Sequence, residues 1–168
     1  MHQTTNAGML IVNLSSQTLS LYSQDRSLLK TYPISSAKNG AGERMNSGCT
    51  PRGSHRIRAK IGENAPLGAV FVGRRPTGEI WTPAYGAAHP ERDWILTRIL
   101  WLCGNEPGLN RLGQVDSMRR YIYIHGTPDD QPMGKPCSHG CIRMRNQDIQ
   151  VLFDQVAVGS EVLILEKM

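Results

Sequence analysis

A chain of 168 residues, 39% hydrophobic and 20% charged, suffices for one domain with a real core, leaves little room for a second, and is not disordered in composition. Nineteen Lys and Arg against 14 Asp and Glu give a net charge of +5. The cations are scattered, with only isolated pairs such as Arg74-Arg75 and Arg119-Arg120, which argues against a nucleic-acid partner and for a small anionic or carboxylate-bearing ligand.

No apolar stretch approaches the roughly 20 residues that cross a bilayer, so no membrane partner is expected. The opening MHQTTNAGML lacks the basic start and apolar run of a secretory signal. The expected compartment is therefore cytoplasmic, or periplasmic if an export signal was trimmed. In a reducing compartment Cys49, Cys103, Cys137 and Cys141 are thiols.

In chain order, residues 9–22 (MLIVNLSSQTLSLY) read as two β-runs around Ser15-Ser16-Gln17, and 28–34 as another strand. The Gly/Ser/Asn-rich stretch 35–55 is a long loop. RIRAKI (56–61), AVFVG (69–73), WILTRILWL (94–102) and YIYIHG (121–126) follow as strands, with WTPAY (81–85) a groove wall or a turn. Residues 146–159 predict the one helix, with Asn146 as N-cap, an apolar face of Ile149, Leu152, Phe153 and Val156, and Gly159 as the stop. EVLILE closes the chain. The expected fold is mainly β, a β-sandwich or closed sheet with one C-terminal helix, in a single domain over 1–168.

Two clusters carry the candidate chemistry: His125-Gly126-Thr127 at a strand end, and Ser138-His139-Gly140-Cys141 in the loop after it. A nucleophilic thiol needs a base within reach and a third group to orient that base. His125 fits as the base, on one face with Tyr121 and Tyr123, and its imidazolium is expected to hold Cys141 as a low-pKa thiolate. Gly140 lets the backbone turn so that N–H groups face a developing oxyanion. Zinc held by Cys137, His139, Cys141 and His125 is disfavoured, because the spacing lacks paired ligand knuckles. No metal and no cofactor are expected. A Cys137–Cys141 bridge would disable the nucleophile. Cys49 and Cys103 read as inert, and His55 and His89 have no evident partner.

IHGT followed by SHGCIRM resembles the YkuD-type L,D-transpeptidase catalytic domain, a family that cuts or remakes peptidoglycan stems at the diaminopimelate–D-alanine bond. IVNLSSQTLSLY resembles its opening hairpin, TPRGSHRI its TP-x-G loop and strand, and NQDIQVLFDQVAVGSEVLIL its closing helix and strand. The resemblance implies a YkuD-like β-sandwich with its helix near the catalytic loop. It implies that Cys141 forms a thioester, that His125 is the base with the Gly126 carbonyl holding its ring, and that His139, Gly140 and Cys141 supply backbone oxyanion donors. Arg143 is the expected contact to a substrate carboxylate, with Ser138 and Tyr123 as further substrate-binding residues. The implied partners are stem peptides or muropeptides. Given the expected compartment, hydrolysis (L,D-carboxypeptidase action in recycling) comes first, crosslinking transpeptidation second, and a non-catalytic muropeptide-binding module is the rival of another class.

Overall fold

Alternation along MLIVN and TLSLY does what a half-buried hairpin requires: Leu10, Val12, Leu19 and Leu21 turn inward. In the computed structural model, which describes residues 7–168, these become β1 (Ala7–Asn13) and β2 (Thr18–Ser23). The remaining strands are β3 (Leu28–Pro33), β4 (Gly53–Ile61), β5 (Ala69–Val72), β6 (Arg75–Ile80), β7 (Ile95–Gly104), β8 (Tyr123–Thr127), β9 (Ile142–Arg145) and β10 (Glu161–Leu165). The helices are α1 (Pro83–Ala88) and α2 (Asn146–Gln155).

All ten strands join one sheet in the order β3-β2-β1-β10-β4-β7-β5-β6, and β7 also pairs β8, which in turn carries β9. The sheet curls so that Leu10, Leu21, Val162 and Ile164 from one part meet Ile57, Leu102, Ile124 and Ile142 from the other, with Ile149, Leu152 and Phe153 of α2 in the same core. A sandwich with one C-terminal helix is thus the observed architecture. A smaller cluster, Ala69, Phe71, Ile99 and Tyr123, lies apart from this core, and Cys141 packs against it.

Three elements depart from the sequence reading. β6 carries Pro76 and Gly78, both poor strand formers, and is held by pairing to β5 alone. WTPAY opens a helix: Thr82 caps it by accepting from the Tyr85 amide at 3.1 Å, and Pro83 begins it. β9 is only four residues long, begins within the SHGCIRM motif and ends one residue after it.

Two details of the C-terminal helix also differ. Arg145, not Asn146, is the N-cap, because the Asn146 side chain is buried and bonded elsewhere. The helix ends at Gln155, so the buried Val156 reaches the core from extended backbone. Gly159 at φ 93° then serves the turn into β10.

Candidate active site

Parallel pairing of β8 with β9 sets His125 opposite Arg143 and Ile124 opposite Ile142. Side chains alternate along a strand, so His125 and Arg143 share the face that Tyr123 and Cys141 also present, while Ile124 and Ile142 enter the main core. Tyr121 does not belong to this row as expected. It lies in the turn before β8 at φ 56° and is exposed. Its carbonyl, however, accepts from the Cys141 thiol at 3.3 Å, and the Tyr123 amide donates back to Sγ at 3.3 Å.

His125 is 1% exposed. Its Nδ1 lies 2.6 Å from the Gly126 carbonyl. A carbonyl only accepts, so Nδ1 carries the proton and Nε2 keeps its lone pair, the tautomer that a general base needs. Burial lowers the His125 pKa, outweighing the favourable Gly126 bond and the Asp93 charge. Burial also pushes the Cys141 thiol up to about 12, against the pull of the Tyr123 amide. Both shifts run against the expected imidazolium–thiolate pair, because desolvation disfavours the charged form of each group.

Gly126 has a steric duty as well. A Cβ there would strike Asn146 Oδ1 and the Leu96 carbonyl. Asn146 is itself a node: it accepts from Thr97 Oγ1 at 2.7 Å and donates to the Thr127 carbonyl at 2.9 Å. Thr97 sits at φ 74°, where the β7–β8 register shifts between Leu96 and Ile99. Gly126→Ala is expected to cost about 1–3 kcal/mol or more, since the clash is with backbone rather than a flexible tip. Urea unfolding checks this, and an unchanged midpoint would contradict it.

Gly140 at φ 138° lets the SHGC loop turn back under Cys141. Ser138 is buried and spends its hydroxyl on the loop, donating to the Cys141 carbonyl at 2.5 Å and accepting from the Gly140 amide at 3.2 Å. Of the expected oxyanion donors, Gly140 N–H is thus engaged, whereas no protein acceptor is found for the His139 and Cys141 amides among the described residues.

His139 is largely exposed and sets Nδ1 3.4 Å from Asp93 Oδ2. Arg143 is buried, with Nη2 3.0 Å from Asp93 Oδ1 and Nη1 3.3 Å from the Cys137 carbonyl. The Tyr123 phenol is buried and accepts from Arg74 Nη1 at 3.0 Å, and the Arg74 guanidinium lies over the Trp101 and Tyr121 rings. The Tyr123 and Ser138 side chains are thereby committed to protein partners.

Two cavities flank the loop and share His139: one of about 310 Å³ at Arg143, Asp93 and Cys137, the other of about 290 Å³ at Cys141. All four cysteines are free thiols, and no group of three or more His, Cys, Asp or Glu is placed to hold a metal among the described residues. His55, which had no visible partner in sequence, is buried with Nε2 2.8 Å from Ser117 Oγ and Nδ1 3.0 Å from the Gly53 carbonyl. Asn146, Asp93 and His55 are the residues sequence reasoning missed or misassigned. Asn146 alone left a signal, as an Asn just after SHGCIRM.

Residues 7–164 match YkuD, the L,D-transpeptidase catalytic domain. The Probable L,D-transpeptidase YbiS of Escherichia coli K12 is 31% identical over 112 residues, 64% of this chain and 35% of that protein. The Putative L,D-transpeptidase YkuD of Bacillus licheniformis is 30% identical over 155 residues, 92% of this chain and 64% of that one. The chain therefore spans about a third of the first relative and under two thirds of the second.

Among solved structures, the L,D-transpeptidase of Xylanimonas cellulosilytica gives a TM-score of 0.60 at 18% identity, covering 98% of this chain and 63% of that one. L,D-transpeptidase 3 of Mycobacterium tuberculosis gives 0.58 at 16% identity, covering 96% and 61%. At these identities the structural likeness speaks for the fold.

Proposed function

Because the chain belongs to the family of YkuD L,D-transpeptidase catalytic domains, we propose that it is a cysteine acyltransferase acting on peptidoglycan stem peptides at the diaminopimelate–D-alanine bond. The observation that carries this reading is the His125 ring, locked by Gly126 into the base tautomer on the strand paired to the one that follows Cys141.

In this reading His125 Nε2 takes the Sγ proton as sulfur bonds to the scissile carbonyl carbon. The oxyanion meets the His139 and Cys141 amides. The C–N bond then breaks, the imidazolium returns the proton to the departing amine, and D-alanine leaves a thioester on Cys141. Attack by water, with His125 again as base, yields a tripeptide and makes the protein an L,D-carboxypeptidase.

An amine of a second stem attacking the same thioester would give a crosslink instead. The second cavity beside His139 favours this reading, since it offers an acceptor a place apart from the space at Cys141. No helix among the described residues is long and apolar enough to cross a membrane. A cytoplasmic site of action would make recycled muropeptides the substrates, and cell fractionation tests that placement.

Mass spectrometry of a purified tetrapeptide stem, incubated with and without an amine acceptor, tests the proposal. The expected result is release of D-alanine, with a tripeptide or an amine adduct as co-product. Binding without release would favour the non-catalytic module.

A further inference from the structure

We propose that Arg120, with Arg119 beside it, forms a carboxylate subsite that takes the C-terminal carboxylate of the leaving amino acid. The inference rests on the acyl-transfer reading above and moves carboxylate recognition away from Arg143.

The two cavities differ in charge. The one at Arg143 balances Arg92 and Arg143 with Glu91 and Asp93, and Asp93 already pairs with Arg143 at 3.0 Å. The one at Cys141 is lined by Arg119, Arg120, His139 and Gly140, and by no Asp or Glu. Arg120 is half-buried, and its guanidinium contacts are all neutral: the Cys49 carbonyl at 2.6 Å, the Gly42 carbonyl at 3.2 Å and Ser47 Oγ at 3.3 Å. Among the described residues no carboxylate lies within ion-pair distance of it.

A partly desolvated cation whose direct contacts are all neutral is costly, and burial pulls its pKa below the usual arginine value even against the attraction of Glu43, which is itself paired with Arg52. An anion entering this cavity recovers that cost through charge-assisted bonds. Covalent geometry says which anion arrives. In a tetrapeptide stem the terminal carboxyl carbon lies within about 4 Å of the scissile carbonyl carbon, two bonds beyond the leaving nitrogen. With the scissile carbon at Sγ, that carboxylate falls in the space that Cys141 shares with the two arginines.

The test uses two tetrapeptide stems, one ending in D-alanine and the other in D-alaninamide, on the wild type, Arg120→Gln and Arg120→Lys. The wild type is expected to favour the acid by about 30-fold in kcat/KM, the size of a charge-assisted contact. Arg120→Gln should bring that ratio near one, and Arg120→Lys should restore part of it. The ratio is internal to each variant, so loosening of the 42–49 loop that Arg120 also holds cannot mimic the result. Equal slowing of acid and amide by Arg120→Gln, or a wild type that does not discriminate, overturns the subsite and leaves the acyl-transfer reading standing. A wild type that releases neither product overturns the acyl-transfer reading, and the subsite with it.

Discussion

Cys141→Ala is expected to release no D-alanine from a tetrapeptide stem, a loss of at least about a thousandfold, because removing a covalent nucleophile removes the pathway rather than weakening it. His125→Ala should cost about 10²–10⁴-fold, the usual worth of a positioned base. The structure sharpens this into a statement about protonation. With the thiol pushed up to about 12 by burial, the thiolate fraction at neutral pH is minute, and alkylation of Cys141 by iodoacetamide should rise about tenfold per pH unit between pH 7 and 10. A pre-formed ion pair would instead give a plateau from weakly acidic to neutral pH. Observing that plateau would refute the neutral pair. Turnover should follow His125 rather than the thiol. Because burial lowers the His125 pKa, acylation should hold steady as pH falls to about 6.5, the ordinary imidazole value, and decline only as the ring protonates below it.

Acid should destabilise the protein through His55. Burial lowers its pKa from 6.5 to about 4, and the Gly53 carbonyl only partly opposes that. Below pH 6.5 the unfolded chain binds a proton that the folded one refuses, so stability present above 6.5 is lost as pH falls towards 4. Two to three pKa units correspond to roughly 3 kcal/mol, and below pH 4 both states are protonated and the loss stops. Urea unfolding of the wild type and His55→Gln at pH 7.5, 5.5 and 4 measures the contribution. The difference between the two proteins should shrink as pH falls, while a constant difference would dismiss His55 as the source. His125 contributes with the same sign, which is why the comparison is needed.

Much of this was legible in the sequence because the signals are local. Leu19 and Leu21 alternate in a hairpin, Ile149, Leu152 and Phe153 recur at helical spacing, and HGT and SHGC are contiguous motifs. What escaped depends on partners distant along the chain. β6 exists by its pairing to β5, despite Pro76 and Gly78. Asn146 looks like a cap until Thr97 and Thr127 claim its side chain, and Arg143 looks like a free cation until Asp93, 50 residues earlier, neutralises it. The burial around Cys141 and His125 escaped for a different reason. Sequence names the charges near a thiol but not how far the fold desolvates it.

The branching of the sheet at β7 leaves open margins at β3 and β6, and β9 would be a third. An unpaired margin invites another chain to add a strand. β3 carries Lys30 and Pro33, and β6 carries Arg75, Pro76 and Glu79, residues that make both poor templates. β9 has no such residues beyond its cations, yet Ser35 exchanges both backbone hydrogen bonds with Arg143 at 2.9 Å and occupies its outer side. The long loop after β3 thereby covers the outer side of β9, the strand that begins one residue after Cys141.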